Sequence, residues 1–272
     1  MGNPRPFEGL AGECDIVALR ESVPSATAKL TLSGGTGEVT LASVLPGAIA
    51  GLVRDEAAGQ EQIAALQTQA YGPDPGKDLA HTITWLQSAK PGATLNAAAP
   101  DDDTPVLTEV VDAAAPMPVE VHKDFQWWLA EGAEITPQIQ QSVEQANQLM
   151  MPTDRVQADG IEAAWWVDAG DKAHIRWVRP EDEDELFAAL ARVHAAGGLT
   201  LGEGSRFAGS FRTNGLLVPV FDLDNEMHAQ EWADGLVELD KKLNEALAVK
   251  GELSSAERSS RDGLRARQVT LR

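Results

Sequence analysis

The dipeptide Asn214-Gly215 constrains this chain more than any other feature in it. Flanked by Arg206–Thr213 and Leu216–Leu223, it predicts a two-residue hairpin turn, since both residues tolerate the positive φ such turns require. A two-residue turn fixes register, and register fixes which side chains share a face. Phe207, Gly209 and Phe211 then face Val218 and Val220, forming a core side. Arg206, Ala208, Ser210 and Arg212 lie on the other side, beside Leu217, Pro219, Phe221 and Leu223. Two arginines on a half-apolar strip need anionic partners. The expected partners are the acidic stretch Glu181–Glu185 or an external carboxylate or phosphate.

A second hairpin precedes it, from Ala163–Asp168 and Lys172–Val178. With Ala169-Gly170-Asp171 as the turn, Trp165 and Trp177 share a buried face with Val167 and Ile175. Trp166 lies beside His174 on the outer face, with Arg176 next to them, and this trio reads as a partner or ligand surface.

The rest of the chain alternates similar elements. Asp15–Glu21 reads as a short helix. Ala28–Leu32 and Glu38–Leu41 form a hairpin around Gly34-Gly35-Thr36-Gly37, which reads as a plain turn since it lacks a phosphate-loop lysine. Pro46 opens a short helix through Val53, and Gln62–Gln69 is a strand. Asp74-Pro75 is an N-cap followed by proline at the first helical position, with Leu79, Ile83 and Leu86 on the buried stripe. Thr136-Pro137 repeats that start, with Ile139, Val143, Ala146 and Leu149-Met150 as its apolar face. Pro180 opens an acidic helix ending at Gly197-Gly198, and a last long helix spans about His228–Ala248.

These elements predict an α+β fold of two lobes, each with β-hairpins packed against helices, in an order compatible with an internal duplication. The expected boundaries are 1–96 for an N-terminal lobe, 97–118 for an Ala/Asp/Pro-rich linker with a helical turn at Val106–Val111, and 119–153 for a connecting helical segment with a strand at Met117–Val121. The C-terminal lobe is expected over 154–250 and a basic tail over 251–272.

Composition narrows the function classes. Of 272 residues, 43% are hydrophobic, enough for a sizeable core, and no apolar run approaches a membrane span. Met1-Gly2-Asn3-Pro4-Arg5-Pro6 lacks the order of a secretory signal, so the cytoplasm is the expected compartment. The net charge of -20 is uneven, because Glu257–Arg272 holds five arginines against two acids. A strongly acidic body disfavours nucleic acid except through that tail.

No nucleophile elbow, zinc helix, Walker lysine or dinucleotide loop is present. The lone Cys14 and five scattered histidines (His81, His122, His174, His194, His228) predict neither a metal site nor a cofactor. Asp222, Asp224 and Glu226 lack the glycine and spacing of a calcium loop.

Arg5-Pro6-Phe7-Glu8-Gly9-Leu10, His174–Val178, Gly202–Arg212, Gly215–Val220 and Gly263–Gln268 together resemble a conserved actinobacterial family defined as a domain of unknown function. The resemblance spans nearly the whole chain. It implies a cytosolic actinobacterial origin and no stated activity. Longer members look similar but begin with an additional basic stretch, and its absence weakens a nucleic-acid reading.

The residues favour a non-enzymatic binding or regulatory protein that meets a protein partner or small anion through Trp166, His174, Arg176, Arg206 and Arg212. An enzyme using Arg206 and Arg212 as an anion clamp is the alternative. A ribosome- or nucleic-acid-associated factor acting through the basic tail is the third reading.

Overall fold

The computed structural model describes residues 3–35, 37–130 and 135–270. The chain forms two compact units, Met1–Met150 and Met151–Arg272, and each contains one six-stranded sheet with helices. The fold class is mixed α+β.

In the first unit, helix α1 (Glu13–Glu21) buries Ile16 and Leu19. Strands β1 (Ala26–Thr31) and β2 (Glu38–Val44) pair antiparallel, with Ala28 opposite Leu41. Thr36 of the connecting turn lies outside the described residues. The helix expected from Pro46 to Val53 is instead one 3-10 turn, Pro46–Ala48, followed by strand β3 (Gly51–Val53). Gly47 at φ 70° and Ala48 at φ 50° turn the chain out of helical geometry. Strand β4 (Gln62–Gln67) joins β3 antiparallel and β2 parallel.

Helix α2 (Pro75–Leu86) starts as its sequence predicts. The Asp74 carboxylate accepts from the N–H groups of Gly76 and Lys77, and Leu79, Ile83 and Leu86 are buried. Next come β5 (Thr94–Leu95), α3 (Leu107–Val110) and β6 (Val119–Val121). The stretch 97–118, expected as a linker, lies within the first unit. Its Leu107, Val111 and Met117 are buried, Val111 bridges to Leu32, and β6 completes the sheet beside β1. Composition points to a linker there, but spaced apolar residues tie the segment down.

Helix α4 (Pro137–Leu149) is capped by Thr136, whose hydroxyl accepts from the Ile139 N–H. Only Val143 of its expected apolar face is buried, whereas Leu149 is 86% exposed.

The second unit contains β7 (Thr153–Arg155), β8 (Ala164–Asp168) and β9 (Ala173–Trp177), then α5 (Glu183–Ala195). The hairpin β10 (Ser205–Thr213) and β11 (Leu216–Leu223) turns on Asn214 and Gly215, both at positive φ, with Thr213 opposite Leu216 as predicted. Helices α6 (Ala233–Leu247) and α7 (Ser255–Arg265) follow, and β12 (Gln268–Thr270) lies parallel to β10. One sheet face packs Trp166, Ile175, Trp177, Phe207 and Phe221 against Leu186, Leu190, Leu236 and Leu239 of the helices.

Five positions of the two sheets follow one order, β1-β2-β4-β3-β5 and β8-β9-β11-β10-β12, but the sixth strand is the last of its sheet in the first unit (β6, beside β1) and the first in the second (β7, beside β8). Their connections differ. β9 and β10 run parallel on either side of β11, which demands a long crossover, and α5 supplies it. β2 and β3 run antiparallel on either side of β4, so one short turn joins them. The likeness between the lobes stops at strand order.

Candidate functional site on the C-terminal sheet

Two departures from expected register reorganise the candidate residues. The β8–β9 connection is four residues long, because Asp168 pairs with Ala173. Asp168 Oδ1 accepts from the Gly170 N–H at 2.8 Å, and the Ala169 N–H donates to the Lys172 carbonyl at 2.9 Å. One extra residue flips the pairing. Trp166 therefore faces Ile175, not His174, and lies in the helix-covered core with its ring 6.0 Å from that of His228. Trp165 faces Arg176 on the opposite side from Trp177, and it too is fully buried. Trp166 is core, not surface.

The second departure is a bulge between Phe207 and Gly209 in β10. A Cβ on Gly209 would lie 2.6 Å from the Arg267 carbonyl oxygen, so this position needs glycine for the C-terminal segment to approach. Because of the bulge, Arg206 pairs with Asp222 while Arg212 pairs with Leu217. Asp222 and Leu217 lie on opposite faces of β11, so the two arginines do as well. They form no clamp.

Arg212 donates to Glu183 at the start of α5, at 2.9 Å, as one of its expected alternatives. Arg265, over the Phe187 ring, pairs with Asp184. Leu264 beside it is buried, so the tail through β12 folds back onto the unit, while Arg272 lies outside the described residues.

Arg206, His174 and Arg176 share the sheet face opposite the helices. Two neighbouring rungs run across it. One carries Arg155, Trp165, Arg176 and Val220; the next carries Val167, His174, Asp222 and Arg206. Asp222 Oδ2 accepts from Arg206 Nη2 at 2.7 Å and from Lys172 Nζ at 3.2 Å, and Oδ1 lies 3.2 Å from His174 Nδ1. Burial raises the Asp222 carboxyl, but the hydrogen bonds from Arg206 and Lys172 and the nearby His174 outweigh it and hold the group below the usual carboxylate range.

Arg176 has no such partner. Burial alone pushes its guanidinium down, and no carboxylate meets it among the described residues. The Trp165 indole N–H, on the same rung, is buried without an acceptor among the described residues. The Arg155 guanidinium covers that ring, 5.6 Å from its centroid. The face thus offers more donors than acceptors, in a chain whose acids outnumber its bases 42 to 22.

Sequence reasoning located His174, Arg176 and Arg206. It missed Trp165 and Lys172, and took Asp222 only as a carboxylate at a strand end. The correct loop length would have grouped Trp165 with Arg176, but Asp222 meets Arg206 only through the bulge in β10.

Among the described residues, no group of three or more His, Cys, Asp or Glu side chains is placed to hold a metal ion. No helix among them is long and apolar enough to cross a membrane. No curated protein and no solved structure is detectably similar to the chain. A family model does match, over residues 6–272, so the chain belongs to a family of unknown function (DUF5926).

Proposed function

We propose that this chain is a binding protein whose C-terminal unit takes an anion on the sheet face that carries Arg176. The observation supporting this is the isolation of Arg176. A desolvated guanidinium with no counter-charge is costly to keep, and an arriving anion removes that cost. The other buried or half-buried arginines described in this unit are engaged: Arg179 is held by Glu181 and Asp240, Arg192 donates to the carbonyls of Ala246 and Gly251, Arg261 pairs with Asp262, and Arg155 covers the Trp165 ring. Lys172 and Arg206 border the same position and, against Asp222, leave one further positive charge there.

Linkage supplies the test, since a ligand that prefers the folded state raises its melting temperature. Acetate and orthophosphate, titrated at constant ionic strength, are expected to raise the melting temperature of the native chain and not that of Arg176→Gln. Equal responses from both proteins would refute an anchor at Arg176.

A further inference from the structure

We infer that the anion is a small elongated dianion with acidic groups at both ends, an inference that rests on the anion-binding reading above. The basic groups on this face fall into two loci. On one rung Arg176 meets no carboxylate among the described residues while Arg155 covers the Trp165 ring, and Arg206 and Lys172 gather around Asp222 beside the next. His174 and Arg176 are two residues apart on one strand, so the rungs are separated by roughly 7 Å.

Charge sets the valence. With Arg155 engaged over Trp165 and His174 counted as neutral, Arg176, Arg206 and Lys172 against Asp222 leave two positive charges, one at each locus. A monoanion satisfies Arg176 and leaves the second locus as it was. A dianion of matching length neutralises both.

The loci also differ in depth. Arg176 is half-buried, whereas the side chain of Arg206 is 74% exposed and that of Lys172 is 50% exposed. One end of the ligand is therefore desolvated against Arg176 and Val220, while the other stays at the rim, where Arg206 and Lys172 retain Asp222 and share their remaining donors. Val220, half-buried on the rung of Arg176, suits a methylene spacer.

Calorimetric titration of the full chain with acetate, glutarate and adipate tests the proposal. Glutarate or adipate is expected to bind at least about tenfold more tightly than acetate, because the second contact forms intramolecularly once the first is made. Arg206→Gln should bring the dicarboxylates down to the level of acetate and leave acetate unchanged. Arg212→Gln, on the opposite face, should leave the preference intact and controls for a general loss of charge. Dicarboxylates binding no more tightly than acetate, or a preference surviving Arg206→Gln, would overturn the dianion and leave the anion site standing. No response of the native chain to any of the three would remove the anion site itself.

Discussion

Each unit gathers charged side chains on its sheet, and the two clusters are built to opposite rules. In the N-terminal sheet, Glu61 is the hub: it accepts from Thr40 at 2.6 Å, Lys29 at 3.1 Å and Arg54 at 3.1 Å. The remaining Arg54 donors go to the carbonyls of Trp127 and Trp128. Donors and acceptors balance, as in scaffolding. In the C-terminal sheet, Asp222 engages Arg206 and Lys172, yet Arg176 and the Trp165 N–H one rung away meet no acceptor among the described residues. A cluster with all its valences filled holds a fold together, and one with donors to spare is available to a ligand.

The largest expected effect tests whether both faces of β8 are buried. Trp165→Ala and Trp166→Ala should each cost about 3–5 kcal/mol in denaturant unfolding, as large aromatic core truncations do. A much smaller loss at either residue would mean that its side of the strand is open. Next is the balanced cluster. Glu61→Gln should cost about 1 kcal/mol, since it weakens three charge-assisted contacts at a partly exposed site. Arg176→Leu should be neutral or stabilising by up to about 1 kcal/mol, because it removes a desolvated charge that meets no carboxylate among the described residues. If Arg176→Leu destabilised the chain as much as Glu61→Gln, the contrast between the two clusters would fail.

The legible parts of this chain were those in which a local signal carries its own geometry. Asp74-Pro75 and Thr136-Pro137 start helices, and Asn214-Gly215 turns a hairpin, because capping and positive φ are decided within a few residues. His174, Arg176 and Arg206 could be singled out as basic groups in an acidic chain. Their grouping could not be read. Trp165 and Trp166 are both apolar, so alternation cannot say which faces the helices. The four-residue turn differs from a three-residue one only through the Asp168–Gly170 hydrogen bond. The β10 bulge depends on the approach of Arg267, a contact remote in sequence, and nothing in Arg206–Thr213 announces it. A one-residue slip therefore separated Arg206 from Arg212 and joined it to His174.

The smallest expected effect concerns acid, where the two hubs share a sign. Glu61 and Asp222 are both held below their ordinary range, since burial is outweighed by hydrogen bonds from Thr40, Lys29 and Arg54 at the first and from Arg206 and Lys172 at the second. A depressed carboxyl contributes stability that is fully present above its unfolded pKa, near 4, and is lost as pH falls through the folded value. Stability of the native chain should therefore drop below about pH 4, and Glu61→Gln and Asp222→Asn should each flatten that drop. Above pH 5 the two variants part. Glu61→Gln leaves Arg54 anchored by two backbone carbonyls but removes the negative charge shared by three donors and one of the two accepting oxygens. Asp222→Asn leaves exposed Arg206 and Lys172 to water, so its cost near neutrality should stay below about 1 kcal/mol and vanish in high salt. Removing that carboxylate also raises the positive charge beside Arg176, so Asp222→Asn should bind acetate or glutarate more tightly than the native chain. Weaker anion binding in Asp222→Asn would show that Asp222 positions Arg206 and Lys172 for the ligand instead of competing with it.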